Sequence, residues 1–321
     1  MRDVTVWVLA RPDDGSLPVL DGAGPGVRFV FGSTSEDFAS AAPADAILVC
    51  SMGRSALEPL LARAPRVSWI HSRAAGLDTL LFPALAGSDV VLTNGRGVFS
   101  RSLAEFVIGA LLYFAKDFRR LIRSQQQGVW EPFEPEDLAG RTLGIVGYGD
   151  IGHAVAERAR RLGMKVLALR RRPTLSGHDP WADETLPPGE LPALMRRCDD
   201  VVIAAPLTPE TRGLVSEDAI GAMRKGAVLV NVGRGPVIDE AALVRALAEG
   251  RIRGAALDVF ETEPLPSGHP LYGLENVLVS PHCADNTPGW LEAAMRAFLH
   301  NLDRFRRGER LENVVDKTLG Y

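Results

Sequence analysis

The sequence predicts an α/β protein made of two Rossmann-like, doubly wound parallel-sheet domains, one inserted into the other. Three observations predict it. Short apolar runs alternate with helical stretches through the first hundred residues, the alternation restarts after Gly140, and a further helical segment follows the second series at Pro288 to Arg307. Strands alternating with helices imply parallel sheets covered on both faces. A tail that returns to the first series makes the second an insertion. The expected boundaries are 1–98 with 286–321 for the first domain, and 99–285 for the second.

Val4 to Leu9, Val27 to Phe31, Ala46 to Cys50, Val67 to His71 and Val90 to Thr93 have the apolar composition of buried strands. Ser55 to Arg63 and Leu77 to Leu85 read as helices between them. From Ser102 to Arg123, Leu103, Phe106, Val107, Ala110, Leu111 and Phe114 recur at spacings of three and four, the pattern of one long connecting helix. Gln125 to Asp137 is polar, aromatic and proline-containing, and predicts an extended arm. Six strands then follow, at Thr142–Val146, Lys165–Leu169, Asp200–Ala204, Ala227–Val232, Gly254–Val259 and Val277–Ser280. In the last helix Leu291, Met295, Phe298, Leu299 and Leu302 form one stripe, and Val314-Val315 is suited to return to a sheet.

Composition narrows the function classes. The 321 residues are 46% hydrophobic and 24% charged, as in a soluble globular protein. A net charge of −4 gives no reason to expect nucleic acid or an anionic membrane as partner. No apolar run approaches the roughly 18 residues of a membrane span, and the first strand is too short and alternating for a signal peptide. Cys50, Cys198 and Cys283 are odd in number and widely spaced, forming neither a metal-ligand pattern nor a disulfide framework. A cytoplasmic setting and no metal are expected.

The most informative stretch is Leu143 to Gly152, a buried-strand pattern that runs into Gly147-Tyr148-Gly149-Asp150-Ile151-Gly152 and then into a helical pattern. The glycines have the G-x-G-x-x-G spacing. The first serves the tight turn, the second lets a pyrophosphate approach the backbone, and the third lets helix and strand pack closely. The next strand, ending at Leu169, leads into Arg170-Arg171-Arg172-Pro173. An acid near this position hydrogen-bonds a ribose 2′-hydroxyl, whereas arginine suits a 2′-phosphate. NADP(H) is therefore the preferred cofactor, with NAD(H) the alternative.

Three later segments carry chemistry, each at or just after a strand end. Arg234 lies between two glycines, so that its side chain leaves the backbone without crowding. Asp258, Glu261 and Glu263 are three acids among which spacing does not choose. His282 follows a strand and Pro281. His71 also closes a strand and is the weaker competitor, while His153, His178, His269 and His300 have helix or loop contexts that suit packing or solvation.

Together these residues resemble the D-2-hydroxyacid dehydrogenases, a family that includes glyoxylate and hydroxypyruvate reductases, phosphoglycerate dehydrogenase and formate dehydrogenase. The carriers are the glycine turn, Pro206-Leu207-Thr208-Pro209-Glu210-Thr211-Arg212-Gly213, Asn231 to Glu240, Asp258-Val259-Phe260-x-x-Glu263-Pro264, and Pro281-His282. The resemblance covers nearly the whole chain. It implies a dinucleotide-binding domain inserted into a discontinuous flavodoxin-like substrate domain, commonly in a homodimer. It assigns the catalytic acid to Glu263, His282 to protonating a carbonyl oxygen as hydride arrives, and Arg234 to the substrate carboxylate. A close carboxylate favours the imidazolium form of His282. Tyr148, Asp150, Ile151, Arg170, Arg171, Pro206, Leu207, Val232, Gly233 and Asp258 would line the cofactor. The loop Arg73 to Asp78 resembles the substrate loop, with Ala75, Gly76 and Leu77 receiving the carboxylate, and Asn94 to Val98 resembles the second substrate-side loop.

The departures are informative. Arg170 replaces the family's cofactor acid, and Glu263 stands where formate dehydrogenases carry glutamine. Arg73 would either reach a second anionic group on the substrate or point to solvent. Arg54 falls near a phosphate-binding arginine of phosphoglycerate dehydrogenases. Cys283, beside His282, is expected to be a buried structural thiol, with a redox-active cysteine the alternative. The implied reaction is reduction of a small 2-keto acid such as glyoxylate or hydroxypyruvate; the alternatives are a phosphoglycerate dehydrogenase-like enzyme and a non-catalytic dinucleotide sensor.

Overall fold

The computed structural model describes residues 1–171 and 179–321. Arg172, Pro173 and His178 lie outside the described residues. The chain divides into two compact units, Met1–Phe99 with Thr287–Tyr321, and Ser100–Asn286.

The first unit holds β1 (Val4–Leu9), β2 (Val27–Gly32), β3 (Ala46–Val49), α1 (Arg54–Ala62), β4 (Trp69–Ser72), α2 (Pro83–Ala86) and β5 (Val91–Asn94). All its strand pairs are parallel, in the order β2-β1-β3-β4-β5. This is the flavodoxin-like order, which reverses direction between β1 and β3. Alternation along the strands fills two cores. Trp7, Leu9, Ile47, Val49 and Ile70 face one side with Leu57, Leu60 and Leu85. Val6, Val8, Ala46, Leu48 and Trp69 face the other side, where the tail's helix supplies Met295, Phe298 and Leu302. The Trp69 and Phe298 rings stack with centroids 5.4 Å apart. Each such fully buried large apolar side chain stabilises the fold by about 1.5–3 kcal/mol.

The second unit opens with α3 (Ser100–Ala115) and α4 (Phe118–Gln127). The expected single helix is broken because Asp117 adopts a left-handed conformation (φ 46°) and its side chain accepts a hydrogen bond from Arg120 N at 3.3 Å, capping α4. The extended arm accordingly starts after α4. Leu77 to Leu85 is likewise mostly turn, with helix only at α2, whose first residue is Pro83.

Next come β6 (Thr142–Val146), α5 (Asp150–Arg161), β7 (Lys165–Leu169), β8 (Glu184–Leu186), α6 (Leu191–Arg197), β9 (Asp200–Ile203), α7 (Glu217–Gly221), β10 (Val228–Asn231), α8 (Glu240–Ala248), β11 (Gly254–Leu257) and β12 (Val277–Val279). Its sheet has seven strands rather than the six expected, ordered β12-β11-β10-β9-β6-β7-β8 and all parallel. The added strand, β8, is a three-residue edge on β7. The order reverses between β6 and β9, opening a crevice beyond the carboxyl ends of those strands. Helix α9 (Trp290–Arg307) then returns the chain to the first unit. The Val314 expectation reduces to an isolated antiparallel bridge to Thr93. No helix among the described residues is long and apolar enough to cross a membrane.

Candidate active site

The glycine turn follows β6 at that crevice. Gly147 takes φ 97°, and a Cβ there would lie 2.5 Å from the Ala205 backbone nitrogen, so only glycine fits the turn. Around a Cβ at Gly149 there is nothing within 4 Å, leaving open ground in front of α5. A Cβ at Gly152 would run into the Gly147 carbonyl oxygen. The first N–H groups of α5, together with its dipole, suit an anion on that open ground. In the first turn of α5, the Asp150 carboxylate accepts a hydrogen bond from Ser100 Oγ. Tyr148 is buried with its ring 5.9 Å from His153, and burial raises its phenol well above the usual range.

Past β7, Arg170 N donates to Leu186 O at 2.9 Å, so β8 fixes the backbone from which its side chain leaves. Arg171 Nη2 lies 3.5 Å from Glu210. Glu210 belongs to the turn after β9, where Thr208 Oγ1 donates to it at 2.8 Å and Thr211 Oγ1 donates to Pro206 O at 2.6 Å. The Thr208 hydroxyl and, more weakly, Arg171 hold the Glu210 carboxyl below its ordinary value. Pro206 and Leu207 are thus held on the same edge as the glycine turn.

Asn231 is buried and shapes the turn after β10. Its Oδ1 accepts from Gly233 N at 3.0 Å, and its Nδ2 donates to Arg234 O at 3.2 Å. The two glycines beside Arg234 meet a constraint different from the expected one. A Cβ at Gly233 would sit 2.6 Å from Ala205 O, and one at Gly235 would collide with the Phe260 carbonyl. They allow close backbone packing on both sides of the arginine, so that its position is set by neighbours. Arg234 Nη1 donates to Gly233 O at 2.8 Å.

The acid and the histidine come together. Glu263 Oε2 is 2.7 Å from His282 Nδ1, while its Oε1 accepts from Phe260 N at 3.0 Å. The backbone N–H therefore aims the carboxylate, and the carboxylate fixes the imidazole with its Nδ1 proton toward Glu263. Nε2 is left to exchange a proton. His282 itself sits at φ 50°, an uncommon conformation for a side-chain-bearing residue, held by its N–H donating to Asp258 O (2.9 Å) and Ser280 O (3.0 Å). Asp258 is the hub of this segment. Its Oδ1 accepts from Ser280 Oγ (2.5 Å), Cys283 N (2.9 Å) and Ala284 N (3.0 Å). Glu261, the third acid, instead pairs with Arg212 at 3.7 Å. Of the four remaining histidines described here, His153, His269 and His300 pair with Asp179, Glu240 and Glu312.

His71 is buried, hydrogen-bonded through Nδ1 to Thr93 Oγ1 at 2.8 Å, and burial pulls its pKa down to about 3. It is a core residue. Cys283 is exposed, against the expectation of a buried thiol, because the hydrogen bonds to Asp258 hold its backbone rather than its side chain.

In the first unit, the loop Arg73 to Asp78 follows β4 at the carboxyl edge of the sheet. Ala74 O accepts from Ser72 Oγ (3.2 Å) and Gly95 N (3.2 Å), and Ala75 O accepts from Asn94 Nδ2 (2.7 Å). With these carbonyls committed, the N–H groups of Ala75, Gly76 and Leu77 find no acceptor among the described residues. Arg73 points neither to solvent nor toward an anion site. Its guanidinium is buried and bonds Asp14 Oδ2 at 2.6 Å and Ser16 Oγ at 2.8 Å. Burial opposes ionisation of Asp14, but Ser16 and Arg73 outweigh it and hold the carboxyl low. The nearby Cys50 thiol is pushed up to about 12 by burial. Arg54 pairs with Glu58 at 2.8 Å one turn along α1. Asp14, Asn231, Ser280 and Asp285 were not singled out in the sequence; Asp285, an acid three residues past His282, was the one with a local signal.

Among the described residues no group of three or more His, Cys, Asp or Glu could hold a metal ion. Residues 108–284 match the family model described as D-isomer specific 2-hydroxyacid dehydrogenase, NAD binding domain. The chain is 31% identical to D-3-phosphoglycerate dehydrogenase of Methanocaldococcus jannaschii, over 98% of this chain and 59% of that protein, so it spans about three-fifths of that relative. It is 32% identical to a D-isomer specific 2-hydroxyacid dehydrogenase from Xanthobacter autotrophicus Py2 solved with NADPH and MES, with a TM-score of 0.86 and coverage of 99% and 100%. An NADPH-dependent glyoxylate/hydroxypyruvate reductase from Sinorhizobium meliloti, solved with NADP and sulfate, is 28% identical with a TM-score of 0.84 and full coverage of both chains. Extent and identity together are decisive: this chain belongs to the D-isomer specific 2-hydroxyacid dehydrogenase family.

Proposed function

We propose that the protein reduces small 2-keto acids, glyoxylate or hydroxypyruvate, to the corresponding D-2-hydroxy acids with NADP(H), accepting NAD(H) less well. The 2.7 Å pair of Glu263 and His282 carries the reading, because a dinucleotide sensor has no need of an imidazole aimed by a carboxylate. The cofactor fits the residues present. Gly149 leaves the ground before α5 open, and Arg170 and Arg171 follow β7 where a 2′-phosphate would lie. When bound, the nicotinamide supplies the hydride.

The chain's own residues do the rest. Arg234 holds the substrate carboxylate and polarises the carbonyl oxygen as charge develops there. His282 Nε2 delivers a proton to that oxygen, and Glu263 stabilises the imidazolium that precedes delivery. In the reverse direction the same nitrogen takes the proton. Within the first unit, the uncommitted N–H groups of Ala75, Gly76 and Leu77 suit a carboxylate. We further assign the protein to the cytoplasm and to a homodimer, whose interface uses the apolar face of α4.

A panel of 2-keto acids assayed with NADPH and NADH in parallel tests the assignment. Arg234→Ala is expected to cut kcat/KM by about 10²–10³ and His282→Ala by about 10²–10⁴, while NADPH fluorescence still reports binding. Undiminished turnover in the His282 variant, or a wild-type preference for NADH, would overturn the corresponding part of the proposal.

A further inference from the structure

Asp285 has no role in the mechanism above, yet it stands among the groups that carry it. It lies three residues beyond His282, on the segment whose Cys283 and Ala284 N–H groups are wrapped onto Asp258 Oδ1. That wrapping fixes the path of the backbone into Asp285. Its side chain is half-buried, and no donor side chain of the described residues hydrogen-bonds its carboxyl. The charges that act on it are Asp258, His282 and Arg234, the nicotinamide-side acid, the proton donor and the carboxylate clamp. Burial and Asp258 raise its carboxyl, and its own backbone N–H with His282 and Arg234 only partly offset them. Among the described residues its own backbone N–H is the one protein donor acting on it, so a half-buried carboxylate with several lone pairs keeps acceptor capacity for a further donor.

We propose that Asp285 discriminates among substrates by accepting a hydrogen bond from a hydroxyl on C3 of the 2-keto acid. The inference rests on the reading of the site as a 2-keto acid reductase. Arg234 and His282 engage the C1 carboxylate and the C2 oxygen, which leaves C3 as the substrate atom whose substituent is free to meet a third polar group. Hydroxypyruvate carries a donor there, whereas glyoxylate ends at C2. A carboxylate on C3, as in oxaloacetate, would face Asp285 as a like charge. The acid thus selects for a short hydroxylated substrate and against a dicarboxylate.

The test compares kcat/KM for hydroxypyruvate, glyoxylate and oxaloacetate in wild type, Asp285→Asn, Asp285→Ser and Asp285→Ala, with NADPH affinity read by fluorescence. Wild type is expected to favour hydroxypyruvate. Asp285→Ala should lower the hydroxypyruvate-to-glyoxylate ratio by about tenfold or more, the scale of one hydrogen bond to a charged group. Asp285→Asn should raise the oxaloacetate-to-glyoxylate ratio, since it removes the charge with little change of bulk, and Asp285→Ser should raise it too by removing the charge. Unchanged ratios in all three variants would overturn the proposal, and so would a change confined to NADPH affinity, which would put Asp285 on the cofactor side. Failure of the wild type to reduce any 2-keto acid with either cofactor is a separate outcome, and it would sink the underlying reductase assignment.

Discussion

Gly149 and Gly152 are the same amino acid under opposite constraints. A methyl group at Gly149 meets nothing in the protein, while one at Gly152 meets a backbone carbonyl. Gly149→Ala should therefore stay within about 0.5 kcal/mol of wild-type stability and lose NADPH affinity, because the methyl occupies the pyrophosphate's approach. Gly152→Ala should lose about 1–3 kcal/mol from the clash, more than the helix propensity it gains. Thermal denaturation with a parallel NADPH titration separates the two, and equal destabilisation would refute the division. The spacing made these glycines readable because each job depends on local backbone geometry. Arg73 was not readable, since its partner Asp14 is 59 residues away and nothing local signals a buried ion pair. Cys283 is exposed where the sequence predicts burial, because adjacency to a strand end does not say which side of the backbone faces inward.

At the scale of elements, β4, β5 and α9 meet around one unusual residue. Trp69 Nε1 donates to Thr93 Oγ1 at 2.8 Å, which leaves the Thr93 hydroxyl proton for His71 Nδ1. Phe298 covers both rings, 5.4 Å from Trp69 and 5.5 Å from His71. His71 stays neutral in the fold, with its pKa near 3, but takes a proton near 6.5 when unfolded. Its contribution is thus complete above about pH 6.5 and is lost as pH falls toward 3, by about 1.4 kcal/mol per unit. Urea unfolding of His71→Gln between pH 7.5 and 4.5 should show a shallower slope than wild type by about that amount, and parallel slopes would place the dependence elsewhere. Long or strongly periodic elements were legible, but the break at Asp117 and the edge strand β8 were not. Asp117 interrupts the helix by backbone conformation, without a glycine or proline to announce it. Glu184 to Leu186 is too short and too polar to show a strand pattern, and becomes one only because β7 offers an open edge.

For the molecule as a whole, α4 carries none of its residues into the core. Phe118, Leu121, Ile122, Val129 and the 95%-exposed Trp130 make an apolar face that a monomer would leave in water. Replacing Leu121 and Ile122 together by glutamate should convert the proposed homodimer into monomers by sedimentation velocity; a wild type that is already monomeric would refute the dimer. The fold class is legible in the alternation of strands and helices, and Arg234 and His282 stand out as candidates because each lies within a few residues of a strand end, whereas Glu263 is chosen among three acids only by the resemblance. Asp285 has a local signal in its distance of three residues from His282, whereas the Asp14–Arg73 pair depends on what the folded chain brings near, which spacing alone does not encode.

The split first unit also has a consequence in time. A chain synthesised from its N-terminus completes all five strands of the first sheet before α9 exists, because Ser100–Asn286 is made in between. At ~5–20 residues per second that interval is roughly ten to forty seconds. Throughout it Val6, Val8, Ala46, Leu48 and Trp69 have no Met295, Phe298 or Leu302 to cover them. On the ribosome, the nascent protein therefore presents one greasy sheet face to chaperones until nearly its last helix has emerged.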